Sequence, residues 1–239
     1  MTELNKNKNE ILKTFILIFG IIIFTLVILY LMDYYNIIPK EYYKASDFNI
    51  KTIYSKIDFD NDNIDDYSDI VLGARKDAKN HPIYKSEYYE GGYPPDDIGV
   101  CTDVIWRAFE NAGYSFKDMV TNDIQNNLED YPDITKPDSN IDFRRVRNLH
   151  IFFSKYAQEY TLDYSKIEQW QPGDIVIFGN DKHIGIISDR RNEDGIPYVI
   201  HNAGQLNREE DYLTKSTITA HYRFDSSLIS DDILVRWQE

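Results

Sequence analysis

One cysteine, Cys101, serves all 239 residues. With no second thiol, the chain forms no internal disulfide, so no cross-linked framework supports the fold. Positive charge is also scarce. Lys and Arg number 26 against 40 Asp and Glu, a net charge of −14. Such a balance is a poor match for nucleic acid or an anionic lipid surface, and it points to neutral or cationic partners. Short-spaced Cys or His pairs, the mark of most zinc sites, are missing. A zinc set of Cys101, His183 and His201 is therefore the weaker chemical reading of those three residues.

A further absence concerns the N-terminus. The segment Phe15–Met32 carries no charge over 18 residues, near the lower limit for spanning a bilayer. It runs into Tyr30, Met32, Tyr34 and Tyr35 without the small residues of a signal-peptidase site, so an uncleaved signal anchor is expected over a cleaved signal peptide. Lys6, Lys8 and Lys13 precede it. The positive-inside rule then puts residues 1–14 in the cytoplasm, residues 15–32 through the membrane once, and the rest on the extracytoplasmic side. Residues 33–50 read as a juxtamembrane linker and 51–239 as one exported domain, which carries all of the acidic excess.

What is present centres on Gly91–Ala112. Cys101 follows a turn-rich run, Pro94–Gly99, and precedes apolar residues at Val104, Ile105, Ala108, Phe109 and Ala112, the spacing of one helix face. Gly113 is a stop. Cys101 is thus expected in the first turn of a helix, where unpaired N–H groups and the macrodipole favour a thiolate. The plainer alternative is a buried structural cysteine. Ile70–Lys79, Phe116–Asn127 and Leu149–Leu162 read as further helices, with His81 on a loop and His150 on a helix surface. Beyond Gln171 the period changes. Ile175–Phe178, His183–Ser188, Tyr198–His201 and Thr217–Phe224 read as antiparallel strands, giving an α+β arrangement.

Acidic residues at Asp58, Asp60 and Asp62, a backbone carbonyl at Ile64 and a carboxylate at Asp69 have the spacing of a Ca2+ loop. Asn63 stands in place of the usual glycine, and Asp69 in place of the longer glutamate. Any ion there is expected to be structural, because the loop holds no nucleophile; a solvated acidic turn is the alternative. Arg144, Arg145 and Arg147 form a guanidinium cluster suited either to a substrate carboxylate or to a network with Asp142.

A cysteine nucleophile needs a base and an orienting group. His183 opens a strand, and His201 lies on the next, near enough across an antiparallel pair for a hydrogen bond. Backbone N–H groups at the helix start are candidates for an oxyanion hole. The ordered motifs GVCTDV, NIDFRRVRNL, WQPGDIV, HIGIISDRR, VIHNAG and ITAHYRF, over roughly residues 75–225, resemble the DUF1287 family of bacterial exported proteins, which is similar to the NlpC/P60 papain-like cysteine hydrolases.

That resemblance implies a papain-like core, with a Cys-bearing helix packed on an antiparallel sheet. It implies Cys101 as nucleophile, His183 as base and His201 as orienter, with no cofactor for catalysis. Tyr88 resembles the tyrosine of the Y-x-x-G-G segment that lines such sites. Where those proteins read D-C-S-G, this chain has Val100-Cys101-Thr102-Asp103, so the carboxylate that helps read a free amine is displaced to Asp103. Asp103, Arg144, Arg145 and Asn202 join Tyr88 as candidates for substrate contact. The implied activity is cleavage of an amide bond in peptidoglycan stem peptides. Acyl transfer by the same residues, and a non-catalytic surface-binding module on the same fold, are the alternatives.

Overall fold

The computed structural model describes residues 2–35, 37 and 40–238, with the backbone alone for residues 2–7 and 9. Asn36, Ile38 and Pro39 of the expected linker, and the Lys6 side chain of the expected cytoplasmic segment, lie outside what is described. The chain divides into two compact units, Met1–Lys40 and Glu41–Glu239.

In the first unit, helix α1 (Thr2–Tyr34) is continuous. Within its stretch Glu10–Tyr34, an 18-residue window reaches a mean hydropathy of 3.0 and is not buried in protein, so the helix is long and apolar enough to cross a membrane. The helix extends on both sides of the expected 15–32, through the charged residues Glu10, Lys13 and Asp33.

The second unit starts ten residues earlier than the sequence suggests. Tyr43 exchanges both backbone hydrogen bonds with Arg191 (2.9 Å each), and Ala45 is buried. The stretch expected as the end of a linker thus packs on the domain. Helix α2 (Asp66–Asn80) follows and ends on His81 in a left-handed conformation. Two short parallel strands, β1 (Ile83–Tyr84) and β2 (Ile98–Gly99), bracket the turn-rich run. Helix α3 (Cys101–Asn111) then begins at the cysteine and buries Val104, Ile105, Ala108 and Phe109, the face its periodicity predicts. Burying each of the larger of these side chains stabilises by about 1.5–3 kcal/mol. Helices α2 and α3 touch at Gly73, where a Cβ would lie 2.5 Å from that of Asn111.

Helix α4 (Phe116–Asn126) matches expectation. Helix α5 (Val146–Tyr156) is shifted: it starts three residues before Leu149 and stops well before Leu162. Its expected tail instead forms β3 (Gln158–Glu159), an edge strand beside β8. The remaining strands are β4 (Ile175–Phe178), β5 (His183–Arg191), β6 (Pro197–Ile200), β7 (Glu209–Glu210) and β8 (Ile218–Arg223). They form one sheet in the order β3-β8-β4-β5-β6-β7, with each neighbouring pair antiparallel. Period-two alternation sorts the strand residues between two layers. Ile184, Ile186, Ile175 and Ile177 join the helices in the larger core. Val176, Phe178, Ile187 and Val199 pack with Trp170 and Leu213 in a smaller one. The fold is thus mixed, with helices gathered on an antiparallel sheet.

Candidate active site

Cys101 is 5% exposed at the start of α3. Its helix end is fastened by Asp103, whose Oδ2 accepts the Val100 N–H (2.7 Å), while Oδ1 accepts the Trp106 indole N–H (2.8 Å). Arg144 donates from Nε and Nη2 to the two oxygens of the same carboxylate (2.7 and 2.9 Å) and from Nη1 to the Glu87 carbonyl (2.9 Å). Both side chains are sealed, at 0% and 1% exposure. Asp103 and Arg144 therefore do not hold substrate charge as expected; each neutralises the other and together they fix the first turn that carries Cys101. Of the expected pairing of the arginines with Asp142, only the pull of Arg145 on that carboxylate remains, since Arg144 turns to Asp103 and Arg147 to Asp133.

Burial pushes the Cys101 thiol up to about 11, against backbone N–H groups of Ile184, Thr102 and Cys101 that favour the thiolate. The expectation of a standing thiolate is thus reversed: removing the sulfur from water outweighs the helix end. The Ile184 amide also shows how closely β5 approaches the sulfur.

His183, the residue before Ile184, places Nε2 2.8 Å from Nδ1 of His201. The strand register pairs Ile186 with Ile200 and Ile187 with Val199, which carries His201 opposite Gly185 rather than opposite His183. The two rings meet diagonally, over a residue with no side chain. A Cβ on Gly185 would lie 2.6 Å from Val199 Cγ1 and 3.1 Å from His201 Cβ. Beyond His201, Nε2 stands 3.3 Å from Glu210 Oε1. Glu210 accepts, so His201 carries its proton on Nε2 and offers the Nδ1 lone pair to His183 Nε2–H. His183 is left with an unprotonated Nδ1, the form a general base needs. Burial, with His201 alongside, pulls the His183 imidazole down to about 3, so it is neutral at pH 7. No hydrogen bond joins its ring to the Cys101 sulfur in this structure.

A cavity of about 550 Å³ opens over Cys101, walled by Thr102, Tyr84 and the turn Asp181–Lys182 that leads into His183. Gly179, Asn180 and Asp181 all have positive φ, and Asp181 is held by His150 Nδ1 (2.6 Å). His150 is therefore not ordinary helix surface; it braces the turn before His183. The family described as "Domain of unknown function (DUF1287)" matches residues 71–224, which hold every one of these groups. The chain belongs to the DUF1287 family. It is 40% identical over 165 residues to the uncharacterized protein YijF of Escherichia coli (strain K12), covering 65% of this chain and 80% of YijF. No solved structure matches it significantly.

Within the DUF1287 domain, the other expected site residues take different places. Tyr88 is 59% exposed and hydrogen-bonded to Asn140 (2.8 Å) and Asp138 (3.2 Å), away from the cavity wall. Tyr84, on β1, is the tyrosine that reaches the cavity, close enough for the Cys101 charge to act on it. Asn202 is buried and donates to Gly99 O (3.1 Å), so it holds β2 beside the strand end instead of facing substrate. Arg145 is exposed on the cavity rim. Sequence reading missed Glu210, which lies on a two-residue strand with no periodic signal, and Tyr84, whose strand is equally short.

The acidic loop precedes the family match. Asp58, Asp60 and Asp62 bring one oxygen each within 4.8 Å of one another. Asn63 adopts φ 76°, the conformation a glycine would take. Ile64, expected to offer its carbonyl, gives its N–H to Asp62 Oδ1 (2.8 Å). Asp69 stands behind the group, 2% exposed, and burial with the neighbouring carboxylates pushes it up to about 7.

Proposed function

We propose that this DUF1287 protein is a membrane-anchored cysteine hydrolase that cleaves an amide bond in peptidoglycan peptide, on an NlpC/P60-like, papain-like core. The observation that carries the reading is the cavity over Cys101, at a helix start, beside a strand whose adjoining residue begins the chain His183–His201–Glu210. In this reading the Cys101 proton passes to His183 Nδ1 as the sulfur adds to the substrate carbonyl. The backbone N–H groups around the sulfur stabilise the oxyanion. His183 then returns the proton to the leaving amine, and water, deprotonated by the same imidazole, releases the acyl group from sulfur. The high thiol pKa means that thiolate forms during attack rather than beforehand. The His183 ring closes on the sulfur only with substrate present, as catalytic hydrogen bonds often do.

The helix α1 serves as a single-pass anchor, with the domain on the extracytoplasmic side. The test is incubation of the detergent-solubilised full chain with purified peptidoglycan, with released fragments followed by mass spectrometry beside Cys101→Ala. Fragments from the wild type alone support the hydrolase, and their masses name the bond. No fragments from folded protein sink it.

The protonated thiol, with no hydrogen bond to His183, favours a second reading, a binding module on the same fold. It gains if substrate peptide binds and Cys101→Ala changes nothing. For the acidic loop we propose a structural Ca2+ held by Asp58, Asp60 and Asp62. Calcium should raise the melting temperature of the wild type and not of Asp60→Ala; equal shifts in both remove the site.

A further inference from the structure

The cavity over Cys101 runs against the charge of the chain. Around it stand Lys136, Arg145 and Lys182, all exposed, in a protein of net charge −14. None of the three has a side-chain hydrogen bond or an ion pair among the described residues. The acids of the same wall are already engaged. Asp133 pairs with Arg147, Asp181 with His150, and Asp142 is buried and accepts the Asp138 N–H (2.6 Å). Arg145 lies close enough to Asp142 to act on its carboxylate, but the cations of this wall outnumber its acids, a local reversal in so acidic a protein. Lys182 is also held in place: it closes the left-handed turn with its N–H on Phe178 O (3.1 Å), next to the Asp181 that His150 braces.

The opposite charge is withdrawn from the same opening. Asp103, the carboxylate expected to meet a substrate amine, is 0% exposed and saturated by Val100, Trp106 and Arg144. A cationic group entering the cavity finds no free acid of its own at the nucleophile.

We infer that the cavity selects a peptide by a free carboxylate placed near the scissile bond, gripped by Lys136, Arg145 and Lys182, and not by a free amine. This rests on the peptide-hydrolase reading and names the kind of substrate it takes. A carboxylate also explains why Lys136 and Lys182 stand without a partner: neither gives one up when the anion arrives. Arg145 offers a planar fork and the lysines compact charges, so one carboxylate is met from several sides.

Binding separates this from the question of turnover. The full chain carrying Cys101→Ala, in detergent, is titrated with the stem tetrapeptide L-Ala-γ-D-Glu-L-Lys-D-Ala. The same peptide is then used with its C-terminal carboxylate amidated, with its D-Glu α-carboxylate amidated, and with its N-terminus acetylated. One of the two amidations should weaken binding about tenfold, as expected for losing a charge-assisted contact, and this names which carboxylate is read. Acetylation should leave affinity unchanged. The paired change Lys182→Gln with Arg145→Gln, both on the surface, should bring the acid down to the affinity of the amide. Rising salt should erase the preference, because the cations are exposed.

Equal binding of acid and both amides overturns the inference. So does loss of binding on acetylation, or no binding of any peptide by folded protein. Wild-type protein that prefers the acid but releases no fragments leaves the carboxylate preference standing and sinks the hydrolase alone.

Discussion

Two histidine clusters occupy the same sheet. At one, His183 and His201 meet over Gly185 with Glu210 beyond. At the other, His221 on β8 has Nε2 2.8 Å from Asp174 Oδ2 and Nδ1 2.9 Å from Thr161 O, under the Trp170 ring stacked at 3.7 Å. Arg223 completes that second group with two hydrogen bonds to Asp174 (2.6 and 2.8 Å). Both clusters are buried and both join imidazole to carboxylate. They differ in what is left over. Every nitrogen of His221 faces an acceptor and the ring is 0% exposed, so the group is complete as it stands. His183 uses one nitrogen on His201 and keeps the other without a hydrogen bond, at the start of the strand whose next amide reaches the Cys101 sulfur. A buried polar group that is fully satisfied acts as a brace. One left with a spare lone pair is equipped to move a proton.

The largest effect should come from breaking the brace. Asp174→Ala strands Arg223 and His221 in the interior and should cost about 3–5 kcal/mol in chemical denaturation. Native-state alkylation of Cys101 should be unchanged. A loss under about 1 kcal/mol would mean that the two clusters are not different in kind. Next comes a pH effect confined to the open cluster. The His183 imidazole is depressed to about 3 in the folded chain, from an unfolded value near 6.5. Its contribution to stability is therefore complete above about pH 6.5 and is lost as the pH falls towards 3. The slope reaches about 1.4 kcal/mol per pH unit. His183→Gln should flatten that part of the stability curve, and an unchanged slope would put the titration elsewhere. The smallest change is Glu210→Gln. The amide keeps the shape, but its NH2 can now face His201 and reverse the proton order along the chain. Turnover should fall about tenfold with folding stability nearly intact.

Local pattern made part of this legible. The helix beginning at Cys101, the strand over Ile175–Phe178 and the one starting at His183 follow from the spacing of apolar residues within a few positions. Pairings between distant segments were not legible. Asp103 finds Arg144, 41 residues on, and nothing near either residue distinguishes that partner from Asp142. The tyrosine at the cavity is Tyr84 and not Tyr88, because a two-residue parallel pairing turns the chain between them. Overall charge says little about the cavity wall, where Lys136, Arg145 and Lys182 stand at one opening from three separate loops and turns.

The protonated state of Cys101 also bears on how long the molecule lasts. Peroxide and related oxidants attack sulfur through the thiolate, and the climb to sulfenic and then irreversible sulfinic acid starts there. A thiol held near 11 by its surroundings exposes almost no thiolate at neutral pH. With no second cysteine in the chain, an early oxidation product would have no internal thiol to resolve it. A proton kept on the sulfur therefore exchanges resting reactivity for chemical lifetime.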